Sequence, residues 1–125
     1  MIDYQELVRD FHRKKGVTIH HTPTVPTFEL VNLGRSLIRE EMLEVLEALS
    51  YRRLPEIAKE LADVLYVVFG TAVSLGIDLK PVFLEVHRAN MTKDYSFKRY
   101  DGKILKGPGY VPADIEVVLR KQYFK

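Results

Sequence analysis

Two short acidic stretches place carboxylates where apolar side chains belong. The first is Arg39-Glu40-Glu41-Met42-Leu43-Glu44, and the second, sixteen residues beyond Glu44, is Glu60-Leu61-Ala62-Asp63. Both read as helix. At about 100° per residue, Leu30, Leu33, Leu37 and Ala48 share one stripe, Glu41 and Glu44 fall on it, and Glu40 sits at its edge. Glu60 lies beside Val64, Val67 and Thr71, flanking a stripe of Ile57, Leu61, Val64 and Val68. A carboxylate withdrawn from water is costly unless positive charge meets it. Read as converging without a nearby Lys or Arg, these groups ask for a metal cation. Their ligands are all oxygens, which suits Mg²⁺, with Mn²⁺ as a substitute, better than zinc. A di-iron bundle would need Glu-x-x-His motifs. The chain has none: His87 follows Glu85 by only two residues.

The elements that must hold these groups are helical. Tyr4, Leu7, Val8 and Phe11 recur at helical spacing, so a first helix is expected from Asp3 to about Lys15, stopped by Gly16. The segment His20-His21-Thr22-Pro23-Thr24-Val25-Pro26 is a loop, because its prolines remove donors and push their predecessors to extended backbone. Thr27 caps a second helix that runs to about Tyr51, and Pro55 opens a third that ends near residue 75, before Gly76. After Asp63 this third helix is apolar almost all round, so it is expected to be the central, most buried element. Asp78 caps a fourth helix reaching about Met91. Beyond it, Asp101-Gly102 and Lys106-Gly107-Pro108-Gly109 are turn chemistry, predicting a short hairpin or ordered loop. A last helix is expected from Ile115 to about Tyr123. The short connections predict antiparallel neighbours, so Glu41/Glu44 can face Glu60/Asp63, each pair spaced i, i+3. The fold class is all-α: an antiparallel four-helix, bundle-like protomer with a C-terminal hairpin or loop and a last helix. Covering the third helix calls for a dimer or higher oligomer.

Bulk properties bound the rest. The 125 residues suit one domain, with a helical body over about 3–92 and a basic loop and helix over about 93–125. Lys and Arg number 10 against 13 Asp and Glu over residues 1–86, but 9 against 4 over residues 87–125. An acidic body with a basic tail fits a cation site covered by a phosphate-binding segment. With no cysteine, disulfides and thiolate metal sites are excluded. The polar start is unlike a signal peptide, and the longest apolar run, Val64 to Ile77, falls short of the roughly 20 residues a membrane span needs. A cytoplasmic protein without membrane or nucleic-acid partners is expected.

The pattern Glu40-Glu41-x-x-Glu44 followed by Glu60-x-x-Asp63 resembles the motif of the all-α nucleoside triphosphate pyrophosphohydrolases. These are the MazG-like enzymes, related to phosphoribosyl-ATP pyrophosphohydrolase and the all-α dUTPases. Glu85-Val-His87-Arg88-Ala-Asn90-Met91-Thr92-Lys93 and Asp101-Gly102-Lys103-x-x-Lys106-Gly107-Pro108 are similar to the segments that follow the bundle in one MazG-like subgroup. Val8-Arg9-Asp10-Phe11-His12 and Thr22-Pro23-Thr24-Val25-Pro26 are similar to its N-terminal stretch.

The resemblance implies Mg²⁺-dependent hydrolysis of a nucleoside triphosphate to the monophosphate and pyrophosphate. Carried over, Glu41, Glu44, Glu60 and Asp63 become metal ligands. Glu40 becomes the group that orients or deprotonates water, or holds a further metal. Asn90, Lys93 and Lys106 become candidates for the nucleotide, and Phe11, His12 and Pro26 for a base pocket. Arg88 can serve phosphate or pair with Asp94. Substrates stay open among dUTP, dCTP and non-standard nucleotides, and a homodimer or homotetramer is implied. The competing reading is a non-catalytic helical regulator that binds nucleotide or metal.

Overall fold

The protein was analysed as a computed structural model that describes residues 1–124. Among the described residues there are five helices and no strand: α1 (Tyr4–Lys15), α2 (Phe28–Tyr51), α3 (Leu54–Leu75), α4 (Leu79–Asn90) and α5 (Ile115–Gln122). The chain divides into two units, Met1–Ile77 and the segment from Asp78 onward.

In the first unit each helix begins and ends where local chemistry dictates. Asp3 accepts the Glu6 amide at 3.1 Å, satisfying an N-terminal donor of α1 that has no helical partner. Thr27 does the same for Leu30 at 3.3 Å in α2. Pro55 occupies the first turn of α3, where a missing N–H costs nothing. Helix α3 packs against both α1 and α2. Its carboxyl end is closed by Gly76 at φ +72°, where a Cβ would stand 2.1 Å from the Thr22 carbonyl oxygen. Only glycine fits both that backbone and that approach. The loop after α1 is strapped along the end of α3: His20 N donates to Val73 O at 3.2 Å and Thr24 N to Leu75 O at 2.9 Å.

Helix α3 is central, as expected, since both α1 and α2 pack on it, but its burial is uneven. Burial is confined to Ala72, Val73 and Ser74 near its end, while Leu61 and Leu65 are 50% and 56% exposed. One chain supplies α1 and α2 to cover only part of the helix, so the apolar residues flanking the acidic segment are left about half exposed.

In the second unit α4 and α5 pack together. The Gln122 amide, almost fully buried, closes a two-bond ring with Asp78, accepting from its N–H at 2.9 Å and donating to its carbonyl at 3.0 Å. Glu85 accepts from Arg88 Nε and from the Asp114 N–H, both at 2.7 Å. These bonds hold its carboxyl far below the ordinary range, at about 2, with Arg88 the larger cause and the Asp114 amide next. Between the helices, Lys98 and Ile104 form an antiparallel bridge around a turn at Gly102, φ +94°. This is the short hairpin expected from Asp101-Gly102. No single described helix is long and apolar enough to cross a membrane.

Candidate metal centre and adjoining cavity

Helices α2 and α3 are joined by Arg52 and Arg53, with Arg52 in the left-handed region at φ 56°. So short a turn makes them antiparallel neighbours, aligning the end of one acidic segment with the start of the other. One carboxylate oxygen from each of Glu41, Glu44, Glu60 and Asp63 lies within 4.8 Å of the other three. Two oxygens on opposite sides of a Mg²⁺ ion are about 4.2 Å apart, so the cluster has the dimensions of a single-cation cradle. Oε2 of Glu41 and Oε2 of Glu60 are buried without a hydrogen-bond partner. A buried carboxylate oxygen left unpaired is costly, and a hard cation is the partner an all-oxygen set fits. Glu60, its side chain only 16% exposed, has its carboxyl held above the ordinary range, first by burial and then by the adjoining Glu44 carboxylate.

The four carboxylates do have a cation of the chain's own beside them, contrary to the expectation that no Lys or Arg lies near. Lys59 Nζ is 2.6 Å from Asp63 Oδ2 and 3.5 Å from Glu60 Oε1. Asp63, foremost, raises the lysine's affinity for its proton. The i, i+4 spacing of Lys59 and Asp63 contains this contact, since side chains four apart on a helix are neighbours. Lys59 is largely exposed, so the pair is solvent-screened and leaves the buried oxygens of Glu41 and Glu60 unmet.

Glu40 is exposed on α2, one residue before the cluster. Phe11 and His12 line an apolar cavity of about 340 Å³ enclosed by α1, α2 and α3. Leu37, one turn before Glu41, and Val67, one turn after Asp63, also line it. It therefore adjoins the carboxylates at a distance of about one helical turn, ~5.4 Å. Phe11 meets Tyr66 edge to face, with ring centroids 5.6 Å apart. Pro26 is not part of this cavity; it borders an open groove that shares Leu30, Gly34, Thr71 and Leu75 with it. Thr71 and Ser74 also line the cavity and were missed in the sequence reading. Their spacing from Asp63 along α3 put them on or near the ligand-bearing face.

Asn90, Lys93 and Lys106 belong to the second unit. Asn90 is exposed, and its carbonyl accepts from the Lys93 N–H at 3.0 Å. Lys106 stands over the Tyr110 ring, 5.0 Å from its centroid, an arrangement in which the ring face attracts the ammonium. Arg88 pairs with Glu85, not with Asp94, and donates to the Pro112 carbonyl at 2.9 Å.

Residues 8–90 match the family described as phosphoribosyl-ATP pyrophosphohydrolase. The chain belongs to that family. Phosphoribosyl-ATP pyrophosphohydrolases fall within the MazG-like all-α nucleoside triphosphate pyrophosphohydrolase superfamily, and the match takes in α2, α3 and all four clustered carboxylates. The protein is thus a hydrolase acting on phosphoric anhydrides, and the non-catalytic reading is set aside. No curated protein matches the chain.

Proposed function

We propose that the protein hydrolyses a nucleoside triphosphate to its monophosphate and pyrophosphate, using Mg²⁺ or Mn²⁺ held by Glu41, Glu44, Glu60 and Asp63. The observation that carries this is the four-carboxylate cluster, with two buried oxygens lacking any partner. When bound, a divalent cation supplies neutralisation of phosphate oxygens, the main requirement of phosphoryl chemistry. The chain's own residues do the rest. Glu40, exposed beside the cluster, takes a proton from the attacking water on a carboxylate oxygen. Phe11 and His12 border the cavity one turn away, which receives the base. Asn90, Lys93 and Lys106 are proposed, on their chemistry and the resemblance, to meet sugar and phosphates; lysine suits phosphate as a mobile point charge.

Among the described residues no Lys or Arg lines the cavity, but Arg35 and Arg39 line the groove that shares Leu30, Gly34, Thr71 and Leu75 with it. The substrates proposed are ordinary or non-standard nucleoside triphosphates, dUTP and dCTP among them, with a phosphoribosylated nucleotide included in the test.

The protomer is proposed to act as a homodimer or homotetramer. Leu33, Leu43, Leu46 and Leu49 of α2 and Leu61 and Leu65 of α3 are all exposed in the single chain, more apolar surface than a lone protomer of this size ordinarily leaves to water. The function is tested by incubating the purified chain with canonical, modified and phosphoribosylated nucleoside triphosphates, with Mg²⁺ or with excess EDTA, and identifying products. Monophosphate and pyrophosphate formed only with the metal support it; diphosphate and phosphate, or equal rates in EDTA, contradict it.

A further inference from the structure

The cavity between α1, α2 and α3 is mostly aliphatic, and the hydrogen-bonding character of its few polar groups is set by what they already bond. A backbone carbonyl can only accept, so any group bonded to one must be donating. His12 Nδ1 lies 3.0 Å from the Thr18 carbonyl oxygen and must therefore carry the ring proton. Ser74 Oγ donates to the same carbonyl at 2.9 Å, and Thr71 Oγ donates to the Val67 carbonyl at 2.9 Å. Each of the three has spent its proton on the backbone. What remains on all of them is lone pairs: Nε2 of the neutral imidazole and the two hydroxyl oxygens.

His12 is only 6% exposed, and its Nε2 looks toward Gly70. A Cβ on Gly70 would stand 3.2 Å from that nitrogen and crowd it. The remaining polar lining residue, Tyr66, is 43% exposed and so has water at hand. Apart from the Tyr66 hydroxyl, the cavity thus offers acceptors and apolar wall, and among the described residues no Lys or Arg lines it.

Resting on the nucleotide reading above, we infer that this acceptor-rich cavity selects bases bearing an exocyclic amine, cytosine or adenine, over their oxo counterparts, uracil and hypoxanthine. An amino group brings two donors to Nε2 and the hydroxyl oxygens. An oxo group in its place sets lone pair against lone pair and, with only the ring N–H beside it to donate, meets fewer of the buried acceptors, a loss that discriminates more strongly than a missing methyl does. The cavity, at about 340 Å³, lies at the small end of ligand pockets and holds one heterocycle.

The test compares kcat/KM of the full chain with Mg²⁺ at pH 8 for dCTP against dUTP and for dATP against dITP. Each pair differs at the amino or oxo position and the ring nitrogen beside it. The expected result is a preference of about tenfold or more for the amino partner in at least one pair, the value of about one neutral hydrogen bond. A smaller ratio in both pairs, or an oxo preference, overturns the inference while leaving pyrophosphohydrolysis in place. Turnover of no nucleotide removes both. Thr71→Val keeps the shape and deletes one acceptor, and His12→Gln puts a donor-bearing amide where the ring acceptor stood. Both are expected to narrow the preference several-fold; an unchanged ratio in both variants places base selection elsewhere and also overturns it.

Discussion

In the proposed reaction Glu44 and Glu40, four positions apart on α2, divide metal holding from proton handling. Glu44 lies within the cluster and helps hold the carboxyl of Glu60 above its ordinary range, so its charge is felt across the helix pair. Glu44→Gln keeps the volume and removes that charge. It is expected to lose Mn²⁺ binding, read by calorimetry, together with turnover; full activity in this variant ends the metal-site assignment. Glu40 is exposed and outside the cluster. Glu40→Gln is expected to lower kcat by roughly 10²–10⁴, the ordinary range for a general base, while metal and nucleotide still bind. An unchanged kcat returns Glu40 to the solvent face. Glu41 and Glu44 on the apolar stripe of α2 already announce the cluster in the sequence, because a carboxylate there breaks the pattern. Lys59 was readable only by its i, i+4 spacing from Asp63, and an exposed lysine on a helix is too common to stand out. The acceptor-rich character of the cavity was not readable at all, since it depends on Thr18 O accepting from two groups, one of them 56 residues away in the chain.

Helix boundaries followed their capping chemistry closely, because each rests on one or two neighbouring residues: Asp3 and Gly16 around α1, Thr27 before α2, Pro55 and Gly76 on α3, and Asp114 before α5. What local chemistry could not supply was the long-range clasp of the second unit. Glu85 joins α4 to the start of α5 by accepting from the Asp114 N–H, a partner 29 residues on. Its carboxyl is depressed to about 2 from an ordinary 4.5. A depressed acid contributes stability that is fully present above its unfolded value and is lost as pH falls through its folded value. Unfolding followed by circular dichroism is therefore expected to show wild type losing stability between about pH 4.5 and pH 2 in a step absent from Glu85→Gln. The variant is expected to be the less stable of the two at pH 7. Superimposable pH profiles would show that the clasp contributes nothing.

At the level of the whole molecule, the apolar residues left open along α2 and α3 are the main departure from a self-sufficient core. Periodicity marked α3 as apolar on nearly every side, but not which sides its own chain would cover. Light scattering coupled to size exclusion is expected to give twice or four times the 14.5 kDa chain mass at micromolar concentration; a monomer there contradicts the proposed assembly. Acids on α2 and α3 adjoin a half-open apolar cavity, and the reaction proposed for that arrangement is attack of water on the α-phosphorus of a nucleoside triphosphate. Hydrolysis in ¹⁸O-labelled water with Mg²⁺, read by mass spectrometry of the products, tests this most directly. The account predicts label in the nucleoside monophosphate and unlabelled pyrophosphate, with no reaction in EDTA. Label in pyrophosphate, or release of labelled phosphate and a nucleoside diphosphate, would contradict it.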